Sequence, residues 1–161
     1  MNQADYFYYS GHGHHKWGMV DAFEPSVIAG HWRKDLDCVI FAGCSVLDIN
    51  DYNNNFLNSE GEWDPEDHAA SPGKLWESKG PNVLLGYNYT SPGDAGGAPA
   101  RIANSWRANR VAVGDVEAWM AANADNRAWH ACAIIKGDRY LYFKKRRWGR
   151  RSVRSVNKGE W

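Results

Sequence analysis

Three stretches of the chain are apolar without alternation: "DYFYYS" (Asp5–Ser10), "CVIFAG" (Cys38–Gly43) and "NVLLGY" (Asn82–Tyr87). Apolar runs of about 4–8 residues bounded by turn residues suit strands buried on both faces of a parallel sheet. Between the first two, Ser26 is placed to cap a helix through "VIAGHWRKDL". After the third, the Gly/Pro-rich "TSPGDAGGAP" leads into a helical pattern over "ARIANSWRAN", and Asp115 is placed to cap a second helix, "VEAWMAANA". Further on, "WHACAIIKGDRYLYF" alternates apolar and polar positions on either side of Gly137-Asp138, which predicts a β-hairpin turning there. Residues 46–73 show no period and are rich in Asn, Asp, Glu and Gly, so they read as a long surface loop. Strands alternating with helices, closed by a hairpin, describe an α/β sandwich with a mainly parallel sheet.

Composition bounds this picture. The 161 residues are 43% hydrophobic, enough for one packed domain and too few for two ordinary ones. No run of about 18 apolar residues offers a membrane-spanning helix, and no secretory leader pattern precedes the first strand, so the compartment stays open. The zero net charge is divided unevenly: residues 1–135 carry −8 and residues 136–161 carry +8. The expected division is an α/β domain over 1–143 and a basic tail over 144–161. That tail, with seven Lys/Arg in the eleven residues of "KKRRWGRRSVR", reads by default as a solvated terminus. It carries no recognised nucleic-acid motif, and nucleic acid is not an expected partner.

Candidate chemistry lies where two of the strands end. The first runs into Ser10-Gly11-His12-Gly13 and the second into Ala42-Gly43-Cys44-Ser45. Ligands of open α/β sheets bind beyond the carboxyl ends of the strands. If the two strands are neighbours, a thiol and an imidazole meet there. A thiolate is the reactive form of cysteine, and a nearby imidazole promotes it. Gly13 and Cys44 are placed to offer backbone N–H groups to a developing oxyanion. The other cysteines, Cys38 and Cys132, open a strand and lie within an alternating one, and both read as core. With three cysteines and no C-x-x-C pair, neither a disulfide framework nor a zinc knuckle is indicated.

A hydrophobic strand ending in His-Gly, followed by a second ending in a small residue and Cys, resembles the caspase/legumain/gingipain clan of cysteine peptidases. Here the two motifs are "YFYYSGHG" and "CVIFAGCS". The stretches "HWRKDLDCVIFAGCSVL" and "NVLLGYNYTSPGD" also look like a group of bacterial proteins with that fold. The resemblance spans roughly residues 5–135. It implies a caspase-like three-layer sandwich and peptide-bond hydrolysis through an acyl-enzyme on Cys44. His12 would be the base, the N–H groups of Gly13 and Cys44 the oxyanion donors, and no cofactor would be required. Clan members have two parallel strands ahead of the histidine strand, and this chain starts too late to supply them. The sheet is therefore expected to lack its first strands, with Tyr6 to Ser10 as an apolar edge met by a second copy or a partner chain. In the clan, the loop after the third strand helps to form the pocket for the residue before the cut. That makes Asp94, Arg101 and Ser45 candidate pocket residues. Asp94 would favour cleavage after a basic residue and Arg101 after an acidic one, while "PGD" is also ordinary turn chemistry.

Other readings stand beside this one. His12, His14 and one of His31, His68 or His130 form a candidate zinc set for a hydrolase, although Lys16 and Trp17 replace the Asp and His that a strand-H-x-H zinc site would add. Asp51, Asn53, Asn55, Ser59 and Glu62 fall on the spacing of a calcium loop, but Phe56 occupies the position that needs Gly, so an ordinary solvated loop is the simpler account. A noncatalytic module that pairs through its open edge is the alternative from a different functional class.

Overall fold

The computed structural model describes residues 5–14, 18–19, 36–47, 81–136, 139–145 and 151–157. The elements, in chain order, are β1 (Tyr6–Ser10), β2 (Gly13–His14), β3 (Gly18–Met19), β4 (Cys38–Ala42), β5 (Val83–Tyr87), α1 (Ala98–Val113), α2 (Asp115–Asp125), β6 (Ala131–Ile135), β7 (Arg139–Lys145) and β8 (Arg151–Asn157). A short 3-10 turn, Ala95–Gly97, precedes α1. Six strands form one mixed sheet in the order β1-β4-β5-β6-β7-β8, and β2 and β3 make a small separate ladder. The protein is thus α/β, with a partly parallel sheet and two described α-helices. The helix expected over "VIAGHWRKDL" and the loop expected over 46–73 lie outside the described residues except at Leu36 and at Val46-Leu47.

The sheet divides into two halves. β1, β4 and β5 run parallel, with Tyr6 opposite Cys38 and Cys38 opposite Val83, as the three apolar runs predict. β6 then turns back against β5, β7 against β6 and β8 against β7. The expectation of a mainly parallel sheet is corrected to a mixed one. The expected hairpin is present as β6–β7, but it continues through β8, which draws residues 151–157 of the expected basic tail into a paired strand. In "RSVRSVN" the two valines stand three apart among arginines and serines, so the run has neither a period of two nor an apolar stretch, and the strand is not visible in the sequence.

Burial corrects a second expectation. Among the described strands β1 ends the sheet, the edge position expected for Tyr6 to Ser10, but it is not buried on both faces: Tyr6 and Tyr8 are 37% and 45% exposed, while Phe7 and Tyr9 pack against the core on the opposite face. Aromatic side chains at four successive positions look alike in a sequence whether one face is covered or both.

One face of the sheet carries the helices. Cys38, Ile40, Leu85 and Tyr87 pack under Ile102 and Trp106 of α1 and Trp119 of α2. The Tyr87 hydroxyl donates to Asn123 Oδ1 at 2.8 Å, and Asn123 Nδ2 donates to the Trp119 carbonyl at 2.9 Å, which satisfies a buried polar pair. The two helices meet at Gly114, whose φ of 94° and ψ of 157° belong to glycine. Gly114, not Asp115, occupies the cap position of α2. Asp115 instead begins the helix, and its carboxylate meets Arg110 Nη1 at 3.3 Å. An acid at one helix start and a base at the other helix end both oppose their local dipoles. The Arg110 guanidinium also lies 3.7 Å above the Tyr6 ring, fastening α1 to the end strand.

Candidate functional site

β1 and β4 are adjacent and in parallel register, so Ser10 lies opposite Ala42 and the segments that follow leave the sheet side by side. The Gly11 N–H reaches the Ala42 carbonyl at 3.4 Å, which extends the pairing one step beyond the strand. Two residues later, Gly13 lies flat against the turn after β4. A Cβ there would meet the Cys44 carbonyl oxygen at 2.6 Å and the Gly43 carbonyl carbon at 2.9 Å. His12, exposed and bracketed by these two contacts, is therefore held beside the Cys44 turn. Gly13 is required by this close approach, since no side chain fits between the two backbones.

The turn that carries Cys44 is held from below. Ser45 takes a left-handed φ of 55°, uncommon for a residue with a side chain. Its N–H donates to the Tyr89 carbonyl at 2.6 Å, and Leu47 N–H donates to Tyr87 at 3.1 Å. Val46 and Leu47 are completely buried on the sheet face opposite the helices. The Leu47 carbonyl in turn accepts from the Tyr140 hydroxyl at 3.4 Å, so β7 also helps to anchor the turn.

All three cysteines are free, and only Cys44 is partly exposed. Burial pushes the Cys38 thiol far above its ordinary range, with the negative charge of Asp115 adding to the effect. Cys38 and Cys132 are core residues, as their strand positions predict. Cys44 Sγ has a different environment: it accepts from the Ser91 N–H at 3.4 Å and lies 3.3 Å from the Ser91 hydroxyl. These contacts tie the segment after β5 to the turn that carries Cys44. Ser91 was not singled out in the sequence because "TSPG" reads as a turn, and no local pattern links it to a residue 47 positions earlier.

Ser91 also forms one wall of a small cleft at the same end of the sheet. Ser10, Tyr8 and Pro92 share the rim, and Tyr87, Ile102 and Trp119 form the inner wall. The Trp119 Nε1–H is buried and has no hydrogen-bond acceptor among the described residues.

The remaining expected site residues lie elsewhere or are already engaged. Ser45 directs both its N–H and its hydroxyl to the Tyr89 carbonyl. Asp94 is exposed and opens the 3-10 turn, where its carbonyl accepts from Gly97 N–H at 3.0 Å. Arg101 is exposed and bonded to Asn126 Oδ1 at 3.0 Å and to the Gly96 carbonyl. Neither Asp94 nor Arg101 lines the cleft. His130 packs edge-on to Tyr89, with ring centroids 5.1 Å apart, near the strand ends that hold the Cys44 turn. Desolvation lowers its pKa and the charge of Arg151 adds to that, against a backbone hydrogen bond at Thr90.

Among the described residues, no three His, Cys, Asp or Glu side chains converge as a metal site. His15, His31, His68 and the candidate calcium loop of Asp51 to Glu62 lie outside the described residues. Among the described residues, no helix is long and apolar enough to cross a membrane. No protein-family model, curated protein or solved structure matches this chain.

Proposed function

We propose that the protein is a cysteine peptidase of caspase-like fold, with Cys44 as nucleophile and His12 as base. The observation that carries this reading is the contact of Gly13 with the Gly43–Cys44 backbone, which sets a His-Gly and a half-buried free thiol side by side at the ends of neighbouring parallel strands. In the proposed reaction His12 takes the thiol proton, and the sulfur attacks the carbonyl carbon of a peptide bond. The N–H groups of Gly13 and Cys44 receive the oxyanion. As the tetrahedral adduct collapses, the C–N bond breaks and the imidazolium returns its proton to the leaving amine. Water, deprotonated by His12, then attacks the thioester and releases the acid and the free thiol. The N–H that Ser91 donates to the half-buried sulfur supports the reading.

The test is labelling by peptidyl acyloxymethyl ketones, which alkylate an activated thiol. Cys44 should react in the folded protein, Cys44→Ala should not react, and His12→Ala should slow labelling by about 100-fold or more. A folded protein that is never labelled at Cys44, or one that is indifferent to His12, overturns the proposal.

A second reading has its own support. Tyr6 and Tyr8 are exposed on the end strand of the sheet, which suits a noncatalytic caspase-like module that pairs with a second copy through β1. It expects a dimer in sedimentation that Tyr8→Lys dissociates; a monomer at high concentration removes it.

A further inference from the structure

In the sequence the basic run "KKRRWGRRSVR" reads as a solvated terminus, with nucleic acid outside the expected partners. Pairing of part of that run into the sheet changes what its charges can do. β7 and β8 keep register over all seven rungs, and five of their residues are cationic: Arg139, Lys144, Lys145, Arg151 and Arg154. From 139 to 157 the chain has eight Lys and Arg, six of them Arg, and no Asp or Glu.

The register fixes where these residues stand. Residues directly opposite in an antiparallel ladder share a face, and the faces alternate along each strand. Leu141 and Phe143 pack on the helix side of the sheet, which places Arg139 and Arg151 on that face. Tyr140 and Tyr142 pack on the other side, which places Lys144 and Arg154 there. Arg139, Lys144 and Arg154 are exposed. Arg151 is half-buried, its guanidinium 5.5 Å from the centre of the Trp129 ring, and that ring meets Phe143 edge-on at 5.3 Å. Stacking holds a guanidinium by its face and leaves its in-plane N–H groups available. Lys145 and Arg151 occupy one rung, and like charges directly opposite destabilise a ladder. Among the described residues the only ion pair is Arg110 with Asp115, so no described carboxylate offsets the hairpin's charge.

Charge on both faces decides among anionic partners. A bilayer or a folded acidic surface meets one face at a time, and among the described side chains of the hairpin Val153 is the only large apolar one that is exposed, too little to insert into lipid. Protection of a sheet edge against a further strand needs charge on the end strand alone, whereas the inner strand β7 carries three of the five cations. A nucleic-acid strand presents a phosphate at every step and can follow an edge, and arginine binds phosphate through paired N–H donors. The seven residues of β8 span about 23 Å, room for several phosphates.

We infer that the β7–β8 hairpin binds the phosphodiester backbone of a nucleic acid without regard to base sequence, with Arg139, Lys144, Arg151 and Arg154 each meeting a phosphate. The inference does not depend on the role of Cys44.

The experiment is fluorescence anisotropy of the whole chain with a labelled DNA of about 20 nucleotides and mixed sequence, single-stranded and as a duplex, across a salt series. Binding to either form is expected with a dissociation constant of about 10 μM or below at about 50 mM salt. The log–log salt slope should be about −3 to −4, from 0.7–0.9 for each of four phosphates. Arg139→Gln/Arg154→Gln changes two exposed positions on opposite faces, and should weaken binding about tenfold and roughly halve the slope. Lys144→Gln, also exposed, is a second arm, with an expected loss of about threefold. Arg107→Gln, at an exposed position of α1, should change neither affinity nor slope. Absence of binding at the lowest salt, a slope flatter than about −1, or an equal loss with Arg107→Gln overturns the inference. Competition by polyglutamate or by phosphatidylserine vesicles that matches unlabelled DNA at equal charge also overturns it, and assigns the hairpin to an acidic protein or to a membrane instead.

Discussion

Gly13 shows what a single atom contributes at the residue scale. Its Cα rests against the backbone of Cys44, and a methyl group there would press on the Cys44 carbonyl oxygen and on Val46, both held by the packing of the turn. Gly13→Ala is expected to lower stability by about 1–3 kcal/mol, the range for overpacking a filled site. It should slow Cys44 labelling even at temperatures where the variant is fully folded. Chemical denaturation together with a labelling rate checks both parts, and an unchanged rate would separate Gly13 from the thiol. His12 and Cys44 were legible in the sequence because each follows directly on an apolar run, where a reactive side chain serves no packing purpose. Ser91 and the Trp119 N–H were not legible. A serine in a turn and a tryptophan in an amphipathic helix have ordinary explanations until their neighbours in space are known.

At the scale of elements, the parallel half of the sheet holds the candidate site and the two helices hold that half in place. α1 and α2 are continuous except at Gly114, where the chain takes a conformation that side-chain-bearing residues avoid. Gly114→Ala would combine that strain with a contact near 3.0 Å to Glu117 Oε2. A loss of about 1–3 kcal/mol is expected, measurable by urea unfolding, with the helical signal lost in the same transition as the tertiary one. The apolar runs announced β1, β4 and β5, and the helical pattern announced α1 and α2, since spacing alone carries both signals. The ends of the elements were less visible. Asp115 resembles a cap in sequence, yet Gly114 holds that position because only glycine can make the turn between the helices.

For the whole molecule, β6, β7 and β8 close the sheet on the side away from β1, and His130 stands where β6 begins. Desolvation holds its pKa below the ordinary imidazole value of 6.5, aided by Arg151. The folded state then binds fewer protons than the unfolded one between the lowered value and 6.5, so stability rises with pH in that window. The contribution of His130 should be complete above about pH 6.5 and should be lost as the pH falls toward the folded value. Denaturation midpoints across pH 4.5–7.5 are expected to show a slope that His130→Gln reduces; an identical slope in the variant would assign the acid sensitivity to other groups. The charge division of −8 against +8 gives the chain an acidic body and a basic end. Part of that end is ordered structure, because β8 pairs with β7 along its whole length.

That the histidine and cysteine strands are neighbours came from the structure; the sequence by itself determined that the chain is α/β, which runs form the parallel strands, where α1 and α2 lie, and that a histidine and a cysteine each follow a strand. These are properties of local spacing, and a period of two, a period of 3.6 or an uninterrupted apolar run is written in consecutive residues. Only the tertiary structure decided that one face of β1 is exposed, that the sheet is mixed and extends through β8, that Cys44 is held by Ser91, and that the nearby cleft carries no charge on its described walls. Each of those depends on which distant segments meet, and that is set by the packing of the whole core, to which no short stretch of sequence is a sufficient guide.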